Sequence, residues 1–172
     1  MKIFLLGLPG SGKSTLGKEL AIALNLPFID LDLEIERTEG ASIPKIFEQK
    51  KEDYFRQAES NELKKWCARK DDFVMSTGGG TPIYFDNIEV INQSGTSIFL
   101  DVAASEIARR IINTKLSERP LFAKAHPESI KDHVEFMRSH RLPFYRKAHH
   151  TLSGNETTSA EVLAVIKKGN LS

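Results

Sequence analysis

Residues Gly7-Leu8-Pro9-Gly10-Ser11-Gly12-Lys13-Ser14 match the pattern G-x-x-x-x-G-K-[ST] in full, and Thr15 follows. This pattern suits the holding of a polyphosphate. Glycines let a loop turn tightly and bring its N–H groups against phosphate oxygens. A helix starting at Lys13 would add its positive end at the same point. The Lys13 ammonium can reach the β- and γ-phosphates of ATP, and the Ser14 hydroxyl suits a Mg²⁺ ion. Gly10, Ser11, Gly12, Lys13, Ser14 and Thr15 are therefore nucleotide-binding candidates. A chance glycine-rich turn is the competing reading, and the flanking pattern argues against it. The motif does not name a phosphate acceptor.

The flanks supply the required context. Residues 3–6 form a short apolar run, as in a strand buried on both faces. From Lys13 the period becomes helical, with Leu16, Leu20, Ala23 and Leu24 on one face. Asn25 and Pro27 end that helix. Phe28-Ile29 leads into the acidic turn Asp30-Leu31-Asp32. A second helix is expected over Lys51–Ala68, with Phe55, Ala58, Leu63, Trp66 and Cys67 inward. Strands follow at Phe73–Met75 and Thr96–Val102, and a helix around Ser105–Ile112. Residues 113–127 are polar, carry Pro120 and Pro127, and read as a mobile surface loop. Ile130, Val134 and Met137 mark a helix expected to reach Arg141 and stop before Pro143. A short strand at Thr151-Leu152 and a helix over Ser159–Lys168 close the chain. Strands alternating with helices predict a parallel sheet with helices on both faces, in one domain over residues 1–172.

Composition narrows the partners. Among 172 residues, 24 Lys+Arg stand against 23 Asp+Glu, a net charge of +1. Neither nucleic acid nor an anionic membrane is favoured by that balance. No apolar run approaches the ~18 residues of a membrane span, and the opening Met1–Leu6 has no signal-peptide cleavage pattern. A cytoplasmic protein is expected. The single Cys67 excludes an intramolecular disulfide and reads as helix packing. His149-His150 has no accompanying metal-ligand spacing and reads as a surface pair.

Beyond the phosphate loop, six stretches stand in order. They are Phe28-Ile29-Asp30-Leu31-Asp32, Gly40-Ala41-Ser42-Ile43-Pro44-Lys45-Ile46-Phe47, Glu52-Asp53-Tyr54-Phe55-Arg56-Gln57-Ala58-Glu59, Ser76-Thr77-Gly78-Gly79-Gly80, Arg119-Pro120-Leu121 and Arg141-Leu142-Pro143-Phe144-Tyr145. With the loop they resemble the shikimate kinase family over most of the chain. The resemblance implies a three-layer α/β P-loop fold of the nucleoside-monophosphate-kinase type. It would have a short parallel sheet, an acceptor-binding helical region near 33–60 and a lid near 113–127. The implied reaction is transfer of the γ-phosphate of ATP, with Mg²⁺, to the 3-hydroxyl of shikimate.

Roles follow from the same resemblance. Arg56 and Arg141 would read the acceptor carboxylate, for which a planar guanidinium fork is suited, with Glu59 holding Arg56. Asp32 would bind the ring hydroxyls and orient or deprotonate the attacking one. Asp30 would serve Mg²⁺ through water. Gly78, Gly79 and Gly80 would let substrate approach bare backbone. Arg119 would neutralise the transferring phosphoryl group as the lid closes, and Arg110 would stack on adenine. Lys13, Asp32 and Arg119 are thus the catalytic set. From pattern alone each has a blander reading. Asp30 and Asp32 could cap a helix over Leu33–Gly40. Arg56 and Glu59 could be a solvated pair, the glycines a flexible turn, and Arg109 or Arg110 a cover for apolar surface. Pro9, Phe47 and Phe55 could wall the acceptor site or belong to the core.

Three departures stand out. Lys51 occupies a position where the family often has glycine. The segment from Arg110 to Arg119 is slightly longer than in some relatives. His149–Asn155 does not match the tail that flanks adenine, so no adenine contact is assigned there. A kinase for another small anion such as gluconate, or a nucleotide-binding regulator without turnover, are the alternatives. A monomer is expected.

Overall fold

Alternation along the central strand sets the layers. In β1 (Lys2–Leu6) the side chains of Phe4 and Leu6 enter one apolar cluster and those of Ile3 and Leu5 enter another, all fully buried. Such two-sided burial requires helices above and below. The structure is a computed structural model that describes residues 1–113 and 127–169. Its strands are β1, β2 (Phe28–Asp30), β3 (Phe73–Ser76), β4 (Thr96–Asp101) and β5 (His150–Ser153). They form one parallel sheet in the order β2-β3-β1-β4-β5.

Helices α1 (Lys13–Leu24) and α7 (Ser159–Gly169) cover one face, where Leu16, Leu20, Val162 and Ile166 meet Ile3, Leu5, Val74, Ile98 and Leu100. The other face carries α2 (Leu31–Glu39), α3 (Ile43–Ala68), α4 (Asn87–Ser94), α5 (Ala104–Asn113) and α6 (Pro127–Tyr145). Their inward residues include Ile35, Phe55, Leu63, Ile91, Ile107, Val134 and Tyr145. The result is the expected three-layer α/β fold. β1 has β3 on one side and β4 on the other, so its C-terminal end is the topological switch point where such sheets bind ligands.

Several elements depart from expectation. The helix expected from Lys51 starts at Ile43 and passes through a break at Lys51, whose φ of 66° and ψ of 176° are not helical. That conformation is almost reserved for glycine, the residue that the resemblance leads one to expect there. The helical region expected near 33–60 is α2 followed by α3 as far as Ser60. α6 does not stop before Pro143 but runs through it to Tyr145. Proline in this last turn forgoes one hydrogen bond to the carbonyl of Ser139, an exposed residue that water can serve. Burial of Tyr145, which is 0 % exposed, holds the turn in place. Residues 81–94 gave no sequence signal; they form a 3₁₀ turn (Thr81–Ile83) and α4. The expected lid over 113–127, Arg119 included, lies outside the described residues except Asn113 and Pro127, which fall in α5 and α6. His149 pairs with Ser97 through its backbone N–H and its ring Nδ1, and no metal-holding cluster occurs among the described residues. Cys67 is half-buried, and burial pushes its thiol up, away from the reactive thiolate.

The Lys51 conformation should cost ~1–3 kcal/mol. Lys51→Gly removes that strain but adds some flexibility to the unfolded chain. A net gain of about 1 kcal/mol is expected, or a melting temperature about 2–4 °C higher. A melt of the two proteins side by side checks it, and an unchanged or lower midpoint would mean that Lys51 is not strained.

Candidate active site

The loop between β1 and α1 folds as its glycines demand, with φ of 87° at Gly10 and 96° at Gly12. Leu8 O accepts from Ser11 N–H at 3.1 Å, and Gly12 O accepts from Leu16 N–H at 3.0 Å. Lys13 is buried within the loop, where its Nζ donates to the carbonyls of Gly7 and Leu8, both at 2.9 Å. Thr15 is exposed on the first turn of α1.

Beside the loop, the Ser14 hydroxyl donates to Asp30 Oδ2 at 3.1 Å and lies 3.3 Å from the Ser76 hydroxyl. The other oxygen, Asp30 Oδ1, accepts from Asp32 N–H at 3.1 Å and so caps α2. The helix-cap reading of this acidic turn and the metal-shell reading are therefore compatible, one oxygen for each. Two hydroxyls and one carboxylate at a phosphate loop suit Mg²⁺, which takes few protein oxygens and fills its octahedron with water and phosphate.

The three glycines that follow β3 form the floor of the neighbouring space. None adopts a left-handed conformation, so they are needed for room rather than for backbone freedom. A Cβ on Gly78 would stand 2.8 Å from Glu59 Oε1 and 2.9 Å from Asp32 Oδ1. One on Gly79 would meet Pro9 at 2.7 Å and Arg141 Nη1 at 3.0 Å, and one on Gly80 would meet Arg56 Nη1 at 2.5 Å. Asp32, Arg56 and Arg141, distant in sequence, thus converge over one bare stretch of backbone. Burial, helped by the nearby carboxylates of Glu59 and Asp30, pushes the Asp32 carboxyl up to about 6, although the Lys13 ammonium pulls the other way.

Arg56 is gripped from several sides. Its Nη1 donates to Glu59 Oε2 at 2.9 Å, while Nε and Nη2 donate to Glu52 Oε1 at 3.2 and 3.1 Å. Its Cζ lies 4.3 Å from the centre of the Tyr84 ring. Glu59 is 1 % exposed and accepts the Thr81 hydroxyl at 2.6 Å. Behind it, Asn87 Nδ2 donates to the Thr81 carbonyl at 2.9 Å and Asn87 Oδ1 accepts the Ser60 hydroxyl at 2.7 Å. The pair is buried and networked, which excludes the solvated-pair reading of Arg56 and Glu59. Tyr145 donates its hydroxyl to Gly79 O at 2.6 Å, stacks on Phe99 at 4.9 Å and lies beside Arg141. Burial pushes its phenol up to about 12, so it stays a donor. Phe47 and Phe55 pack together at 4.7 Å, with Phe55 in the core.

On the far side of the loop, Arg110 donates Nη1 to Gly10 O at 3.2 Å, Nη2 to Asn155 O, and Nε to Glu106 at 2.7 Å. Arg109 pairs with Glu106 out in solvent. The ambiguity between the two arginines is thereby resolved in favour of Arg110 as the one on the loop. Sequence reasoning missed Glu52, Tyr145, Tyr84, Thr81 and Asn155 as site neighbours. Glu52 opens the E-x-x-F-R-x-x-E stretch and Tyr145 closes R-x-P-x-Y, so both had a signal. Tyr84, Thr81 and Asn155 had none.

The family model for shikimate kinase matches residues 9–169. The chain belongs to the shikimate kinase family. Among its relatives, "Shikimate kinase" of Phocaeicola vulgatus is 41 % identical over 155 residues, covering 90 % of this chain and 87 % of its own. "Shikimate kinase" of Clostridium botulinum strain Eklund 17B is 39 % identical over 167 residues, covering 97 % of this chain and 95 % of its own. The crystal structure of shikimate kinase from Bacteroides thetaiotaomicron superposes with a TM-score of 0.90 at 33 % identity, covering 98 % of each chain. That from Acinetobacter baumannii, in complex with shikimate, gives 0.89 at 33 % identity, covering 99 % of this chain and 95 % of its own. The matched span, residues 9–169, contains the glycine floor and Asp32, Arg56 and Arg141 above it.

The raised Asp32 carboxyl has a stability consequence. Its folded value of about 6 exceeds the usual 3.8, so between these values the folded chain holds a proton that the unfolded chain has lost. Stability from this group is present below about pH 4 and is lost as pH rises through 6, by on the order of 3 kcal/mol. Urea unfolding of ligand-free wild type and Asp32→Asn at pH 5 and pH 8 tests this. Asp32→Asn should be the more stable at pH 8, with the gap shrinking at pH 5; a pH-independent gap would contradict the assignment.

Proposed function

We propose that this protein transfers the γ-phosphate of ATP to the 3-hydroxyl of shikimate, as its family membership implies. The observation that carries the reading is the convergence on Gly78–Gly80 of a hydroxyl-binding carboxylate, Asp32, with two guanidinium groups, Arg56 and Arg141. Shikimate carries a carboxylate at one end of its ring and hydroxyls at the other. Arg56 and Arg141 bind the carboxylate, Asp32 binds the hydroxyls, and the bare glycine backbone lets the ring lie close. Pro9 of the phosphate loop abuts Gly79, so phosphate and acceptor sites adjoin.

The loop N–H groups of Gly10 to Thr15 and the Lys13 ammonium hold the phosphates, and Arg110 lies against the adenine. Ser14 would hold Mg²⁺ directly and Asp30 would do so through water; when bound, the ion would neutralise charge on the phosphates. Asp32, with a carboxyl titrating near 6, is suited to accept the proton of the attacking hydroxyl at neutral pH. The hydroxyl oxygen forms the new bond to the γ-phosphorus in line with the breaking bond to ADP. The proton goes to Asp32, and the bonding pair leaves with ADP. Arg119, in the lid assigned to 113–127, neutralises the equatorial oxygens during transfer. The reaction runs in the cytoplasm on two small molecules, by a monomer formed of one domain and with neither membrane nor nucleic acid involved. Among the described residues no helix is long and apolar enough to cross a membrane.

ADP release is measured with Mg·ATP and shikimate, gluconate, a nucleoside monophosphate or no acceptor. Release that depends on shikimate alone supports the proposal; its absence despite ATP binding defeats it. Within that assay, Arg141→Ala should raise the KM for shikimate by about tenfold or more, the loss of a charge-assisted hydrogen bond, and leave the KM for ATP nearly unchanged. Lys13→Met should abolish transfer in a protein with an unaltered fold by circular dichroism. Equal effects of Arg141→Ala on both KM values, or turnover surviving Lys13→Met, would remove the corresponding role.

A further inference from the structure

The two carboxylates that hold Arg56 are not equivalent. Glu59 is buried, its side chain 1 % exposed, and is fixed from behind by Thr81. The Glu52 side chain is 52 % exposed, and it sits on the solvent side of the guanidinium. Its Oε1 accepts from both Nε and Nη2 of Arg56, the edge on which a guanidinium pairs side-on with a carboxylate, and also accepts the Tyr84 hydroxyl at 3.0 Å. The Tyr84 ring covers one flat face of Arg56, and Gly80 presses against the guanidinium. With Glu59 on Nη1, the Nε–Nη2 edge is the bidentate edge that the buried partner leaves open, and Glu52 fills it. The Arg141 guanidinium also acts on Glu52, helping to hold its carboxyl below the usual range after the larger effects of Tyr84 and Arg56. Glu52 therefore places a negative charge in the field of both arginines.

We propose that Glu52 is an internal competitor for the acceptor: it occupies the Nε–Nη2 edge of Arg56 with a carboxylate of its own, which an incoming acceptor carboxylate must displace. The inference rests on the reading above in which Arg56 binds that carboxylate. Displacement is feasible for Glu52 and not for Glu59. A half-exposed carboxylate regains its water on leaving, and such pairs are weak, whereas a buried one would be left unpaired at high cost. Glu52 thus keeps Arg56 oriented and its charge compensated in the empty site, at some expense of acceptor affinity.

The competing role and a purely supporting role differ in the sign of one measurement. In Glu52→Gln the side chain keeps its size and a carbonyl for Tyr84 but loses its charge. In Glu52→Asp the charge remains and the reach is shortened by one methylene. The KM for shikimate, and the dissociation constant for shikimate measured by calorimetry without ATP, should fall about two- to fivefold in both variants, the range for losing an exposed ion pair. The KM for ATP serves as the internal reference. Unchanged or weaker shikimate binding in Glu52→Gln would overturn the proposal and leave Glu52 as a support for Arg56. Wild-type enzyme that neither binds nor phosphorylates shikimate would instead overturn the parent reading, and this one with it.

Discussion

The site depends on missing side chains. Over Gly78–Gly80 the space that three Cβ atoms would take is filled by the ends of Asp32, Glu59, Arg56 and Arg141 and by Pro9 of the phosphate loop. The contacts are between 2.5 and 3.0 Å from the absent Cβ positions, at or below the closest approach of real Cβ atoms. Alanine at any of the three would have to push a charged group or the phosphate loop aside. The floor is itself anchored. Thr77 donates both its N–H and its hydroxyl to Leu5 O on the neighbouring strand, and Tyr145 donates to Gly79 O from α6. One short segment directly after β3 thereby sets the distance between α2, α3, α6 and the loop after β1, so the relative placement of phosphate and acceptor groups is tied to the sheet.

Charge is handled unequally on the two sides of Gly78. Glu59 is almost inaccessible, yet its oxygens meet Arg56 and Thr81, and the network continues through Asn87 to Ser60. A buried carboxylate so partnered is held firmly in place. Asp32, held across the same glycine, bears the consequence of that neighbour: burial and the adjoining anions raise its affinity for a proton. The satisfied carboxylate is a fixture, and the frustrated one becomes the group suited to move a proton. This is the usual exchange of stability for function at an active site.

What was legible in the sequence follows from how local its causes are. The phosphate loop, the strand before it and the helix after it were readable because glycine spacing and apolar period act over a few residues. Ser14 was readable from the phosphate-loop motif and Asp30 from the resemblance, but their contact, across 16 residues, was not. Tyr84 over Arg56 was not readable, because residues 81–94 have neither a strong apolar period nor a turn signature, and α4 is only 8 residues long. Asn155 contributes a backbone carbonyl to Arg110, and a carbonyl has no sequence signature at all. Pro143 misled for a related reason: the rule that proline ends a helix assumes an interior position, whereas here the lost bond falls on an exposed carbonyl and a buried tyrosine one half-turn later keeps the chain wound.

The break in α3 shows the same competition between local and tertiary terms. Before it, Ile46 packs in the core and Phe47 against its edge; after it, Phe55 and Leu63 are buried in that core while Arg56 and Glu59 face the glycine floor. A continuous helix advances about 100° per residue, which fixes the angle between these two sets of side chains. One residue in an extended, left-handed conformation resets the phase, so that the second half can direct Glu52, Arg56 and Glu59, spaced for one face, at the acceptor space without unpacking the first. The cost falls on Lys51, which has a β-carbon where none is wanted. A chain that keeps lysine there carries local strain in order to aim an arginine, and the gain from that aim is realised one turn later, where Arg56 lies between a buried carboxylate and an exposed one.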